Sequence, residues 1–197
     1  MRRAGETRCP GPRGAEIMAA TCEGKPIVDR CEGCAYEYAE LPVAQVPERL
    51  RLLAVDVSGR LRSTPDAVLR RRPAPEIWSP LEYACHLRDV LAMQRERVLH
   101  AQQVDEPDFP PMDRESRVVD DRYNEQSPGV VAQALTRAAE LLAETLGGLD
   151  ESGWRRTGVY HWPERQPRSI EWVGRHTVHE LLHHRGDIDS GIDAAAH

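Results

Sequence analysis

The chain has a single phenylalanine, Phe109, and aromatic residues fill only 5% of its 197 positions. Any core must therefore be built largely from aliphatic side chains. It also lacks an apolar run of about 18 residues, so no segment reads as a membrane-spanning helix. The first residues lack the apolar stretch of about 7–15 residues that a secretory signal carries, and the expectation is a cytoplasmic protein with no membrane partner. Lys25 is the one lysine; 26 basic residues face 32 acidic ones, for a net charge of -6. Nearly all positive charge is thus arginine, which points to a GC-rich genome rather than to a binding role. Without a basic stripe to neutralise phosphates, nucleic acid is excluded as an expected partner. Cysteines number five, an odd count that in a reducing compartment favours thiols or metal ligands over disulfides.

What is present fits one soluble domain behind a tail, since 40% hydrophobic and 29% charged residues is ordinary globular composition. Residues 1–30 are rich in Arg, Gly, Pro and small residues without periodicity, which predicts a flexible N-terminal arm, with Met18 an alternative start. The domain proper is expected over 31–197. Cys31-Glu-Gly-Cys34 has the spacing of half a zinc knuckle or of a redox pair. Completion from the arm would need Cys9 and Cys22, whose spacings match no regular zinc module, so plain thiols in a poorly ordered arm are expected.

From Val46 the apolar positions Val46, Leu50, Leu53, Val57 and Leu61 recur at steps of four and three, predicting a first amphipathic helix with Pro47 in its first turn. Trp78-Ser-Pro-Leu-Glu82 then supplies a serine N-cap, a proline at the first helical position and a glutamate three residues after the serine. A second helix is expected from about Ser79 to about Gln102. The acidic, proline-bearing stretch Val104–Pro128 reads as a long connection of the kind that covers a site or wraps a bundle. Val131, Leu135, Ala138, Leu142, Thr145 and Leu149 set a third helix. Residues 150–168, with Gly153, Gly158, Pro163, Pro167 and three large aromatics, suggest a structured loop or short hairpin. Ser169 can cap a fourth helix that ends at Gly186 or Gly191. Four long helices with one long crossover predict an all-α four-helix bundle.

The last of these helices contains Arg175-His-Thr-Val-His-Glu-Leu-Leu-His-His-Arg-Gly-Asp187. At about 100° per residue, His179 and His183 share one face, close enough to bind one metal ion. Trp172, His176 and Asp187 lie on the same side as pocket or supporting residues. His184 points further round and is expected to be exposed, and Cys85 is expected to pack in the core. The segment also spells HExxHxxGxxD, close to a metzincin protease, in which Glu180 would be the general base, Gly186 would turn the chain and Asp189 would follow as third ligand. A metzincin needs a mixed sheet ahead of its zinc helix, and the pattern here is helical. In a bundle, the second helix brings His86 toward His179 and His183, and three imidazoles leave an open position on the metal.

The stretches Trp78-Ser-Pro-Leu-Glu-Tyr-Ala-Cys-His-Leu-Arg-Asp89 and His176-Thr-Val-His-Glu-Leu-Leu-His-His-Arg-Gly-Asp187 resemble the DinB-like superfamily (DinB/YfiT-like metalloenzymes), especially its actinobacterial-looking members. The resemblance runs from about Val46 to Asp189. It implies a divalent metal, often zinc or nickel, with the helix-two histidine falling on His86 and the helix-four pair on His179 and His183. In some branches it also implies a low-molecular-weight thiol cosubstrate, mycothiol or bacillithiol, in transfer or isomerisation. The functional expectation is activation of a thiol or water for transfer or hydrolysis on a small molecule, with Glu180 a candidate base and a homodimer allowed. A non-catalytic bundle that binds metal or a small ligand is the alternative: an open coordination position favours the enzyme and a closed shell favours the binder.

Overall fold

A computed structural model describes residues 30–195, so the arm expected over residues 1–30 lies almost wholly outside the described part. Its elements in chain order are α1 (Val46–Ser63), α2 (Asp66–Leu69), α3 (Pro80–Gln103), α4 (Arg114–Asp120), α5 (Pro128–Gly147), α6 (Glu151–Arg155), β1 (Thr157–Tyr160), β2 (Gln166–Ser169) and α7 (Ile170–Ala195), with three 3-10 turns. The long helices are the ones that periodicity and capping predict. In α1 the stripe Val46, Leu50, Leu53, Val57 and Leu61 is buried. At the start of α3, Ser79 Oγ accepts from the Glu82 N–H at 3.2 Å while the Ser79 N–H donates to Glu82 Oε2 at 2.7 Å, a reciprocal capping box.

Helices α1, α5, α3 and α7 pack around one core, each against the next, and α7 closes the ring on α1. Ser58 donates to the Ala132 carbonyl and Arg51 pairs with Glu140, so α1 and α5 are antiparallel. After α3, the chain returns along it: Tyr123 Oη donates to Asp89 at 2.6 Å and Ser79 Oγ reaches Asn124 at 3.0 Å. That return over residues 104–127 leaves α5 starting beside the N-terminal part of α3 and parallel to it. Leu87 and Leu91 of α3, Leu135 and Leu142 of α5 and Leu181 of α7 sit in the centre, at most 1% exposed.

Among the described residues, one small sheet departs from the expected all-α fold. Strands β1 and β2 form an antiparallel hairpin with Thr157 opposite Ser169 and Tyr160 opposite Gln166. The Phe109 N–H donates to the Val159 carbonyl and the Val159 N–H to the Pro107 carbonyl, which ties the long return segment to the hairpin edge. A second departure concerns the end of α7, which runs through both glycines expected to stop it and reaches Ala195. Gly191 serves close approach instead, because a Cβ there would lie 3.0 Å from Pro80 Cγ where α7 crosses the start of α3.

Candidate metal centre

Because α3 and α7 lie side by side, the middle of the bundle collects histidines from both. His86, 3% exposed, faces α7 with Nε2 3.6 Å from Glu180 Oε2. His184 Nε2 lies 3.6 Å from the same oxygen. One ligand atom each from His86, Glu180 and His184 falls within a mutual 4.8 Å. The Glu180 carboxylate also has His176 Nε2 at 3.8 Å and His179 Nδ1 at 3.7 Å, so four imidazoles surround it. No lysine or arginine neutralises it at ion-pair distance among the described residues.

The electrostatics follow from that packing. Burial acts to raise the Glu180 carboxyl, but the His184 and His86 rings hold it well below the usual carboxylate range. His184 is also buried, which lowers it, yet Asp187 and Glu180 carry it up to about 9. Burial pushes His86 down and brings His176 to about 4, so these rings are neutral at pH 7, the form in which imidazole binds metal. Both nitrogens of His86 are buried without a hydrogen-bond partner, an arrangement that costs free energy unless something else takes up the lone pair.

Beside this cluster is a cavity of about 440 Å³ lined by His86, Glu180, His176, Arg97, Tyr160 and Trp162, among others. Arg97, 7% exposed, lies over the Tyr160 ring at 4.7 Å and donates to the Pro110 carbonyl at 2.5 Å. Its guanidinium puts positive charge in the wall. His176 is held by a 2.8 Å hydrogen bond between Nδ1 and the Tyr38 hydroxyl, with Trp172 stacked on it at 4.6 Å.

The residues singled out from sequence do not fall in one cluster. His86 groups with Glu180 and His184, whereas His179 and His183 group with Cys31 and Cys34; His179 also lies with His176 and Glu180, and His183 with His184 and Asp187. Helical register explains the split, since pairs 179/183 and 180/184 share the four-residue spacing but lie about 100° apart around α7. The doubled histidine thus offered two metal faces, and only the position of α3 shows which one meets His86. His184 is the site residue that sequence reading placed in solvent; its side chain is 12% exposed, with Tyr83 stacked on it at 5.2 Å. Asp187 supports His184, bonding Nδ1 at 2.7 Å, while His183 Nε2 is 3.9 Å away. Glu180, the candidate base, lies amid the imidazoles of the cluster itself. The protease spelling loses its geometry: α7 does not turn at Gly186, and Asp189 pairs with Arg60 of α1. Cys85 is fully buried and its thiol faces the Tyr123 carbonyl.

The sequence profile of the DinB superfamily matches residues 49–188. Among solved structures, YfiT from Bacillus subtilis, described as a probable metal-dependent hydrolase with an unusual four-helix bundle topology, superposes with a TM-score of 0.68 at 16% identity, covering 86% of this chain and 91% of that one. A comparison with curated protein sequences gives no significant match.

Proposed function

The chain belongs to the DinB superfamily, and from that premise we propose that it is a metal-dependent enzyme whose divalent ion is held by His86, Glu180 and His184. The observation that carries the proposal is the pair of partnerless nitrogens on buried His86, opposite a carboxylate and beside a cavity. Two imidazoles and one carboxylate are a donor set of catalytic zinc, and three protein ligands leave a position open toward the cavity. Zinc or nickel suits these donors. When bound, such an ion makes a water or thiol acidic enough to act as a nucleophile near neutral pH.

The protein's own groups supply the rest. Asp187 accepts from His184 Nδ1 and so directs the other nitrogen toward the centre. Arg97 offers a cation to an anionic part of the substrate, and Tyr160, Trp162 and His176 give its apolar part flat surfaces. A low-molecular-weight thiol is the cosubstrate this reading favours; hydrolysis of a small acidic substrate is the companion reading. The working compartment on this reading is the cytoplasm, and no helix among the described residues is long and apolar enough to cross a membrane.

The test is metal content and turnover of full-length His86→Ala and His184→Ala, assayed for ester and amide hydrolysis and for thiol transfer with and without mycothiol. Each variant should lose one equivalent of metal and at least about 100-fold in rate, as expected when an ion worth several kcal/mol to the transition state departs. Unchanged metal and turnover in both variants would refute the assignment.

A further inference from the structure

Half of the second cluster, Cys31 and Cys34, lies ahead of the segment that the superfamily profile covers. Cys31 and Cys34 sit on a tight turn whose flanks pair as an antiparallel bridge between Arg30 and Glu37, with the Cys31 N–H donating to the Tyr36 carbonyl at 2.9 Å. Ala35, just after the second cysteine, takes φ 57, a left-handed conformation that costs a residue with a side chain of order 1 kcal/mol and persists only where the surroundings enforce it. The turn is pressed against α7 so closely that a Cβ on Gly33 would stand 2.9 Å from His183 Cε1. Glycine is the residue that permits this approach.

Donor chemistry and spacing agree. One atom each from Cys31, Cys34, His179 and His183 lies within a mutual 4.8 Å, and Cys31 Sγ is 3.6 Å from His183 Nδ1. A tetrahedral ion with metal–sulfur bonds of about 2.3 Å and metal–nitrogen bonds of about 2.0–2.1 Å sets its ligands roughly 3.4–3.8 Å apart. The cluster therefore stands within about 1 Å of a closed shell. His179 is 5% exposed, and neither of its ring nitrogens has a hydrogen-bond partner.

We propose that Cys31, Cys34, His179 and His183 form a second, structural zinc site that clips the segment ahead of α1 onto α7. Binding converts two thiols to thiolates, releases two protons to solvent and leaves no open position, so the site stabilises rather than catalyses. Its mechanical role follows from its neighbours. Tyr36 and Tyr38 come next in the chain, and Tyr38 both stacks on Trp172 at 5.9 Å and hydrogen-bonds His176. The clip thereby holds one wall of the catalytic cavity without touching it. It shares no residue with the His86, Glu180 and His184 centre, so it stands or falls independently of the proposed activity.

The test uses full-length protein, reduced and freed of metal, then titrated with cobalt(II) and chased with zinc. Two equivalents of cobalt should bind, one with a thiolate-to-cobalt charge-transfer band. Cys31→Ser with Cys34→Ser should abolish that band and that equivalent, while His86→Ala should keep both. Should the double serine variant not fold, residue-mapped alkylation of the wild type decides: zinc should slow modification of Cys31 and Cys34 by about tenfold or more, since metal-bound thiolates are withheld from reaction. A wild type without the band, a band that survives in the double serine variant, a band lost in His86→Ala, or zinc protection confined to Cys9 and Cys22 would each overturn the proposal.

Discussion

His179 and Glu180 are neighbours in sequence and about 100° apart on α7, and that single step of register separates the two proposed sets of metal donors. Each ligand's role is then fixed by its side-chain neighbours rather than by its spacing. Asp187 shows how much depends on them, because its carboxylate bonds His184 Nδ1 at 2.7 Å and fixes which nitrogen faces Glu180. Asp187→Asn should weaken metal at the His86, Glu180 and His184 centre by about 10–100-fold, the usual cost of losing a ligand's supporting carboxylate. The fold should be unaffected, since Asp187 is at the surface of α7 with its side chain 36% exposed. Chelator competition at one pH measures the affinity. If the variant instead altered the cobalt–thiolate band alone, Asp187 would be acting through His183.

Helix α3 owes its position to its first turn. Glu82 is 2% exposed and bonds three groups at once: the Ser79 N–H, and Arg72 through Nε at 2.8 Å and Nη2 at 2.5 Å. Burial alone would raise the Glu82 carboxyl, but Arg72 and the Ser79 N–H hold it below its ordinary value. A carboxyl depressed in the folded state contributes stability above its unfolded pKa of about 4.3, and the contribution is lost as pH falls through the folded value. Glu82→Gln should therefore cost about 1–2 kcal/mol at pH 7, with the charged bond discounted because Arg72 is partly solvated. The gap to wild type should begin to narrow as pH falls below about 4.3 and close once pH passes the depressed folded value. Urea unfolding across a series from pH 7 into acid measures it; a gap that does not narrow in acid would mean that the loss comes from packing. His86 lies one turn beyond Glu82, so the same cap that starts the helix also sets the height of the first proposed ligand.

At the scale of the whole molecule, metal and fold are linked by mass action. An ion that binds only the folded chain at 100 times its dissociation constant adds about 2.7 kcal/mol of stability. Zinc should therefore raise the melting temperature of His86→Ala through the proposed cysteine site, and should leave His86→Ala combined with Cys31→Ser and Cys34→Ser unshifted. Thermal unfolding with and without zinc compares them. An equal shift in both would place the stabilising ion elsewhere. Because α7 carries ligands of both clusters, losses at the two sites need not add, and the shortfall measures their coupling.

The sequence by itself determined the four long helices, the capping box of Ser79 and Glu82, and membership of the superfamily, because each rests on local spacing or on motifs carried within one helix. It also showed that α7 bears histidine and glutamate, residues of the kind that bind metal, at four-residue intervals. It did not show which interval serves which ion, because a helix with His179, Glu180, His183 and His184 satisfies the spacing rule on two faces at once. That choice belongs to the packing of α3 against one face and of the Cys31–Cys34 turn against the other. The completing ligands lie far off in sequence, 152 residues separating Cys31 from His183, and no periodicity spans such a gap. Gly191 carries the same lesson: its composition reads as a helix stop, and only the position of Pro80 across the interface makes it a point of close contact. Local rules dictate what a segment can become, and tertiary packing assigns each face its partner.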